Sequence, residues 1–173
     1  MTVALAGLPP RVGAGCRVLV LGSMPGEASL QAARYYAHPR NRFWPVMASL
    51  CGFAPDLPYE ERLHALQRAG VGLWDVIGRC ERRGSLDAAI VRGSEVANPL
   101  GDLLLTHRSI AAIALNGGKA ADAFRRHVQP RLPEARMPAL FALPSTSPAN
   151  AAIRYEALQE AWAAIAPFLR AQD

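Results

Sequence analysis

The sequence is poor in lysine and cysteine. Of its 19 basic residues only Lys119 is a lysine, and the three cysteines (Cys16, Cys51 and Cys80) are widely spaced with no CxxC pair. This pattern argues against a disulfide framework and a cysteine zinc site, so we expect a reducing, cytoplasmic compartment. No apolar run approaches the roughly 18–20 residues that span a bilayer, so we expect no membrane partner. The first residues also lack the basic and apolar regions of a secretory signal.

Several common catalytic patterns are absent as well. The four histidines (His38, His64, His107 and His127) are scattered, and no His/Cys group has the spacing of a zinc site. The sequence contains neither a GxGxxG nor a GxxxxGK[ST] phosphate-binding motif, and it has no GxSxG nucleophile turn. We therefore predict no metal and no organic cofactor.

The composition is that of a globular, basic protein. A length of 173 residues, with 51% hydrophobic and 19% charged residues, predicts one domain over residues 1–173, of which 1–16 form an N-terminal lead segment. The formal net charge is +5 and is carried almost entirely by arginine, which binds phosphate through a planar fork. A nucleic-acid partner fits this charge. A GC-rich genome that favours arginine and alanine codons is the alternative explanation.

Hydrophobic patterning predicts strands that alternate with helices. Continuous apolar runs are typical of buried strands and occur at residues 17–22, 71–77, 109–115 and 139–143. The polar stretch 80–94 is predicted to be a loop, and helices are predicted at residues 28–36, 43–50, 60–69, 102–107, 117–127 and 151–170. The alternation indicates an α/β fold with a parallel sheet and helices on both faces.

The first candidate ligand-binding segment is the turn that follows the first predicted strand. Its sequence is GSMPG, comprising Gly22, Ser23, Met24, Pro25 and Gly26. Small residues at this point allow the backbone to approach a ligand closely, and the carboxyl ends of parallel strands are where open α/β sheets bind ligands. An ordinary strand-to-helix turn without a ligand is the alternative.

An aromatic segment, YYAHPRNRFW, follows at residues 35–44. Aromatic rings can stack on a base that has been flipped out of DNA, and His38 and Asn41 add polar groups beside such a wall. We therefore predict that His38 contacts the substrate. The alternative is that the aromatic residues belong to the core and that Asn41 caps the next helix.

Polar groups also follow the later strands. The loop LPSTSPAN at residues 143–150 offers hydroxyl and backbone N–H groups that suit a phosphate, although Ser147 or Asn150 could equally cap a helix. Asp75, at the end of the second predicted strand, can accept hydrogen bonds from a ligand. Lys119, on the first turn of a helix, either contacts phosphate or is simply exposed.

The order of these segments carries a resemblance. GSMPG, YYAHPRNRFW, LWDV, RRGSLD, LNGGKA and LPSTSPAN together resemble the uracil-DNA glycosylase superfamily, and within it they are most similar to the hypoxanthine-DNA (DNA-deoxyinosine) glycosylases. The resemblance runs from about residue 17 to the C-terminal helix. It implies a three-layer α-β-α sandwich with a short, mainly parallel four-stranded sheet. It also implies hydrolysis of the N-glycosidic bond of a flipped, deaminated base in base excision repair.

The resemblance implies roles for individual residues. The GSMPG turn matches the motif that lines the base pocket and the attacking water. The mismatch-specific glycosylases have an Asn at the position of Met24, and the major uracil glycosylases have an Asp in the same turn, whereas Met24 can neither orient nor deprotonate water. In the hypoxanthine-specific family the catalytic role is carried by an Asn in the position of Asn41. Tyr36 matches the aromatic residue that stacks on the base, and Asp75 lies where superfamily members read the base edge.

The LPSTSPAN loop matches the second superfamily motif, which pinches the DNA strand and fills the gap left by the flipped nucleotide. The expected DNA-binding residues are therefore Lys119, Ser145, Thr146, Ser147, Pro148, Ala149 and Asn150. We expect a monomer that binds DNA containing a deaminated base and is associated with the nucleoid in the cytoplasm.

The resemblance leaves alternatives for the activity. We expect a monofunctional enzyme, because Lys119 is the only lysine that could serve as an amine nucleophile and it lies outside the two base-pocket motifs. One alternative is a uracil-DNA glycosylase acting on G·U pairs or single-stranded uracil. The other is a nucleic-acid-binding α/β module that kept the fold and lost catalysis, which Met24 motivates.

Overall fold

The computed structural model describes residues 2–171, which form two sheets and six α-helices. In chain order the elements are β1 (Val3–Ala6), β2 (Val18–Gly22), α1 (Glu27–Ala32), α2 (Phe43–Cys51), α3 (Tyr59–Arg68), β3 (Val71–Asp75), β4 (Ile77–Arg82), β5 (Val96–Ala97), α4 (Leu100–Thr106), β6 (Ala112–Asn116), α5 (Gly118–His127), β7 (Ala139–Leu143) and α6 (Tyr155–Trp162).

The four predicted strands form one parallel sheet in the order β3-β2-β6-β7. Alternate residues of the central strand β2 face opposite layers. Val18 and Val20 pack with α2, α3 and α6, whereas Leu19 and Leu21 pack with α4 and α5. Helices therefore cover both faces, and the predicted α-β-α sandwich with a four-stranded parallel sheet is confirmed.

A second, antiparallel sheet in the order β1-β4-β5 was not expected. Its strands include part of the predicted lead segment and part of the predicted 80–94 loop, and the single strand predicted at 71–77 is divided at Val76 between the two sheets. Burial along β4 does alternate, as in a half-buried strand. One of its buried positions is occupied by Arg82, and this charged residue at an inward position concealed the pattern.

Two predicted helices are shorter than expected. The helix predicted at 28–36 ends at Ala32, because Tyr35 is drawn into the core, where its N–H donates to the Tyr59 hydroxyl and its own hydroxyl donates to the Pro9 carbonyl. The helix predicted at 151–170 is confined to α6 and continues as a 3₁₀ turn that contains Pro167, which has no N–H to extend an α-helix. Tertiary contacts thus override local periodicity at both places.

Within residues 2–171 no helix is long and apolar enough to cross a membrane. In the same part of the chain no three His, Cys, Asp or Glu side chains are grouped as metal ligands would be. The three cysteines are free thiols buried in the two apolar cores.

Candidate active site

The carboxyl ends of the parallel strands open onto a cleft of about 1190 Å³. It is lined by the turn after β2, by residues 35–41, by the loop that follows β4 and by the loop that follows β7. The cleft brings together nearly all of the predicted site residues, namely Gly22, Ser23, Met24, Pro25, Gly26, Tyr36, His38, Asn41, Asp75, Ser145, Thr146, Ser147, Pro148, Ala149 and Asn150.

Gly22 and Asp75 form the floor of the cleft at the ends of β2 and β3. The two residues are paired in the parallel ladder. A Cβ atom on Gly22 would collide with Oδ1 of Asp75 and would lie 3.4 Å from the Tyr36 hydroxyl. Glycine is therefore needed at this position because a carboxyl and a phenol crowd the backbone there.

The Asp75 carboxyl is the most perturbed acid of the cleft. The residue is only 4% exposed, and its Oδ2 has no hydrogen-bond partner within residues 2–171. Burial raises the pKa of Asp75 to about 7, the nearby Asp87 adds to the increase, and Arg82 opposes it. A buried oxygen without a hydrogen-bond partner is unfavourable, so a ligand in the cleft that donates to Oδ2 would stabilise this carboxyl.

Arg82 and Asp87 each form a hydrogen bond with the GSMPG turn. The buried Arg82 guanidinium donates to the Pro25 carbonyl oxygen over 2.6 Å, and the Ser23 hydroxyl donates to Oδ1 of Asp87, also over 2.6 Å. Asp87 was not among the predicted site residues. Nothing in the sequence separates it from an ordinary exposed acid, because its role depends on how the loop after β4 folds back onto the turn.

The Met24 side chain belongs to an apolar core, although the residue also lines the cleft. It is 6% exposed and packs in the apolar core formed with Leu19, Leu21 and Trp74. At this position the turn therefore offers no polar side chain to a ligand.

Tyr36 forms an aromatic wall of the cleft. Its ring stacks on Phe43 with 3.9 Å between centroids and an interplanar angle of 23°. The backbone of Tyr36 lies in the left-handed region at φ 55°, a strained conformation that is found disproportionately at functional sites. Burial, together with the Asp75 charge, raises the pKa of the Tyr36 phenol, which therefore stays neutral.

Asn41 also lines the cleft, and its side chain is bonded to the start of a helix. Its Oδ1 accepts a hydrogen bond of 2.9 Å from the N–H of Phe43, the first residue of α2, whose N-cap is Arg42. A carboxamide oxygen has two lone pairs, so this bond leaves one of them available and also fixes the direction of the side chain. The neighbouring His38 is oriented in a similar way, because its Nδ1 accepts a hydrogen bond of 3.1 Å from the Arg40 N–H.

The loop after β7 is fixed by Asn116, which sequence reasoning missed. The Asn116 side chain accepts from the Thr146 N–H and donates to the Thr146 hydroxyl, both over 3.0 Å. Thr146 is completely buried, so its side chain anchors the loop instead of facing DNA. Ser147 caps the following 3₁₀ turn by accepting from the Ala149 N–H, which is the capping alternative left open by the sequence.

Lys119 is the predicted site residue that the structure leaves outside the cleft. Its ammonium group forms an ion pair with the buried carboxylate of Glu95, whose other oxygen lies 3.1 Å from Nε2 of His127. Hydrogen bonds to both partners lower the pKa of Glu95 against the effect of its burial. Lys119 therefore joins α5 to the chain before β5 and is not positioned to attack a sugar in the cleft.

Comparisons with known proteins agree with one another. The model of the Uracil DNA glycosylase superfamily matches residues 9–166, which include every segment of the cleft. The Hypoxanthine DNA glycosylase of Methanosarcina barkeri is 34% identical to this chain over 117 residues, which make up 67% of this chain and 73% of that protein. The protein of the same name from Methanosarcina acetivorans is 33% identical over the same shares.

The fold is also shared with a solved structure. A candidate uracil DNA glycosylase from Methanosarcina acetivorans, solved by solution NMR, superposes on this chain with a TM-score of 0.80 and 28% sequence identity. The superposition covers 96% of this chain and 99% of that chain. The family match and the fold match thus both extend over the sheet and over the loops at its carboxyl edge.

Proposed function

The chain belongs to the uracil-DNA glycosylase superfamily, and we propose that it is a monofunctional glycosylase that removes hypoxanthine from DNA containing deoxyinosine. DNA glycosylase chemistry follows from the family. The hypoxanthine assignment is supported by the two curated relatives of that name. The observation that supports it within this chain is the burial of Met24 in the apolar core. The resemblance implies a water-holding Asn at this position, so its replacement by a thioether leaves Asn41 as the proposed water-holding side chain.

Asn41 is proposed to position the attacking water. A neutral carboxamide is a weak base, but it needs only to orient water if the N-glycosidic bond has largely broken and the sugar carries a developing positive charge. The hydrogen bond from the Phe43 N–H supports this role, because it holds the carboxamide oxygen in place before substrate binds. The base then leaves with its electron pair stabilised by the donors of the turn.

Asp75 is proposed to hold the edge of the flipped base. A protonated carboxyl group presents one donor and one acceptor side by side. The N1–H and O6 of hypoxanthine present the complementary pair, so two hydrogen bonds can form. The buried and unpaired Oδ2, and a pKa of about 7 that keeps part of the population protonated at neutral pH, support this assignment. Tyr36 would stack on the base face.

Strand cleavage is not expected. A bifunctional glycosylase needs an amine to form a Schiff base with the sugar. The sole lysine is paired with Glu95 outside the cleft. The product is therefore proposed to be an intact strand with an abasic site. We also propose that the enzyme acts as a monomer on cytoplasmic DNA.

The test is a comparison of damaged bases in otherwise identical DNA. Duplexes labelled at the 5′ end and carrying one hypoxanthine, uracil or xanthine are incubated with excess protein and then treated with hot alkali. We expect cleavage at hypoxanthine to be much faster than at uracil. No cleavage at any base, with DNA binding intact, would instead support a non-catalytic DNA-binding module.

Uracil is the second candidate substrate, since the solved structure of similar fold is described as a candidate uracil DNA glycosylase. Uracil carries its own N–H and C=O pair, at N3 and O4, and Asp75 could hold it in the same way. Preferential cleavage at uracil in the same assay would favour this alternative, with the water held by a group other than the side chain of Met24.

A further inference from the structure

The loop after β7 has no side chain suited to replacing a flipped base in the helix. When a nucleotide leaves the stack, proteins commonly insert an apolar wedge such as Leu, Phe, Ile or Met into the gap. In this loop Thr146 is buried, Pro148 is half-buried at the start of a 3₁₀ turn, and the exposed residue Ala149 offers a single methyl group. The loop can therefore contact the strand, but its exposed tip is too short to fill the gap.

A longer apolar side chain lies elsewhere on the rim of the same cleft. Leu86, in the loop that follows β4, lines the cleft and is 59% exposed. It belongs to neither apolar core of residues 2–171, so no packing within the described part of the fold accounts for it. Arg83, three residues earlier in the chain, is exposed as well, so this loop is suited to a DNA surface, where the arginine can meet a phosphate.

The residues on either side of Leu86 are fastened to the GSMPG turn. The Ser85 hydroxyl accepts a hydrogen bond of 2.8 Å from the Glu27 N–H, and the Asp87 carboxylate accepts from the Ser23 hydroxyl over 2.6 Å. Gly84 supplies a left-handed conformation at φ 78° just before this braced segment. Leu86 is thus presented from a fixed loop that is tied directly to the base-binding turn.

We propose that Leu86 is the wedge that enters the DNA helix and occupies the space left by the flipped nucleotide. This inference rests on the proposed glycosylase function and adds to it a residue that acts on the helix instead of on the base. The bracing explains how such a side chain could act without refolding, because an anchored wedge loses little conformational freedom on insertion. Leu86 is a positioning residue, since it fills the stack while the reacting atoms lie in the cleft.

A wedge has a kinetic signature that a structural residue lacks. Flipping from a duplex breaks stacking and pairing, whereas flipping is already nearly complete in single-stranded DNA. We therefore expect Leu86→Ala to slow hypoxanthine release from a duplex by about 10-fold to 100-fold, the range for losing a buried leucine side chain. Release from a single strand of the same sequence should stay within about twofold of wild type. Leu86→Met, which keeps an apolar side chain of similar length, should retain most of the duplex rate.

The matched control is Leu105→Ala, because Leu105 is a comparably exposed leucine (54%) that does not line this cleft. It should match wild type on both substrates. A rescue substrate adds a second readout, namely a duplex with a large polycyclic aromatic residue opposite the hypoxanthine. That residue fills the stack itself, so it should restore the Leu86→Ala rate close to wild type.

The outcomes separate this inference from the proposed function. If wild type releases no base from any of these substrates, the glycosylase assignment fails and the wedge fails with it. If wild type is active but Leu86→Ala is unchanged on the duplex, or is slowed equally on duplex and single strand without rescue, the glycosylase assignment stands and the wedge is wrong.

Discussion

The floor of the cleft and its rim are built from different kinds of residue. The floor consists of strand-end residues, Gly22, Asp75 and Asn116, all of which are buried and sit at fixed positions in the parallel sheet. The rim consists of loop residues, which include the exposed apolar residues Leu86 and Ala149 as well as exposed polar ones such as Ser85 and Asp87. The floor thus buries polar side chains, whereas the rim exposes apolar side chains among polar ones.

A floor with buried polar groups and a rim with exposed apolar positions fit a site that handles one base and one helix at the same time. A buried polar floor can satisfy the hydrogen-bonding edge of a base only after the base has left the stack. An exposed apolar rim is stabilised only when a helix covers it. Changes to the floor should therefore affect chemistry and pH dependence, whereas changes to the rim should affect the distinction between duplex and single strand.

The largest effect is expected at Asn41, where the wall meets the floor. Asn41→Ala removes the proposed water-positioning oxygen and should lower the single-turnover rate by about 10²–10³-fold, the usual loss for one preorganised polar group. DNA binding, measured by fluorescence anisotropy, should remain. Asn41→Ser is the control for the bond to the Phe43 N–H, because a serine hydroxyl can also accept from the N–H two residues ahead but is too short to hold the same water. A near wild-type rate in either variant would limit the role of Asn41 to holding the start of α2.

The next largest effect is the pH dependence set by Asp75. If the protonated carboxyl holds the base, the wild-type rate should fall roughly tenfold per pH unit above a pKa of about 7. Asp75→Asn keeps one donor and one acceptor at every pH, so its rate between pH 7 and pH 9 should be flat. Parallel pH profiles for wild type and Asp75→Asn would show that this carboxyl does not bind the base in its protonated form.

Asp75 should also affect folding stability. Its pKa is raised in the folded state, so between the ordinary value of 3.8 and about 7 the folded chain binds a proton that the unfolded chain has lost. The unfolding free energy therefore falls as pH rises through this window and loses no more above it. Asp75→Asn lacks this term, so its urea midpoint relative to wild type should be higher at pH 8 than at pH 4. A constant difference would contradict the buried, proton-binding floor.

The smallest effect on activity is expected at Lys119, which lies outside both floor and rim. Lys119→Met should keep the wild-type glycosylase rate, and neither protein should form a covalent DNA adduct with borohydride. The free energy of unfolding of Lys119→Met should be about 1–3 kcal/mol lower than that of wild type, because the buried Glu95 carboxylate keeps only His127 as a partner. Lys119→Arg, which keeps the charge, should be more stable than Lys119→Met. A trapped adduct with wild type would overturn the monofunctional assignment.

The sequence predicts the sheet better than it predicts the contacts around the cleft. The four parallel strands are evident because each is a continuous apolar run, and the turn and loop that follow β2 and β7 can be placed from them. The strand β4 is not evident from the sequence, because the charged residue Arg82 occupies one of its buried positions. The roles of Asp87 and Asn116 depend on residues 64 and 30 positions away along the chain, and no local pattern encodes such contacts.

For Lys119, too, the sequence predicts the position but not the side-chain partner. Its place on the first turn of α5 is that expected from the sequence, but its side chain is paired with Glu95, 24 residues earlier. A position near a strand end therefore predicted where Lys119 lies in the fold, but it did not reveal the contact with Glu95. Leu86 was not singled out at all, since an exposed leucine has no sequence signature until the fold shows what lies beside it.

The most direct test of the central claim is the detection of free hypoxanthine. A duplex containing one deoxyinosine is incubated with excess protein, and the released bases are separated by liquid chromatography and identified by mass spectrometry, while the strand is examined without alkali. We expect stoichiometric hypoxanthine and an intact strand carrying one abasic site. Release of no base, or a strand broken at the lesion before any alkali is added, would contradict the account.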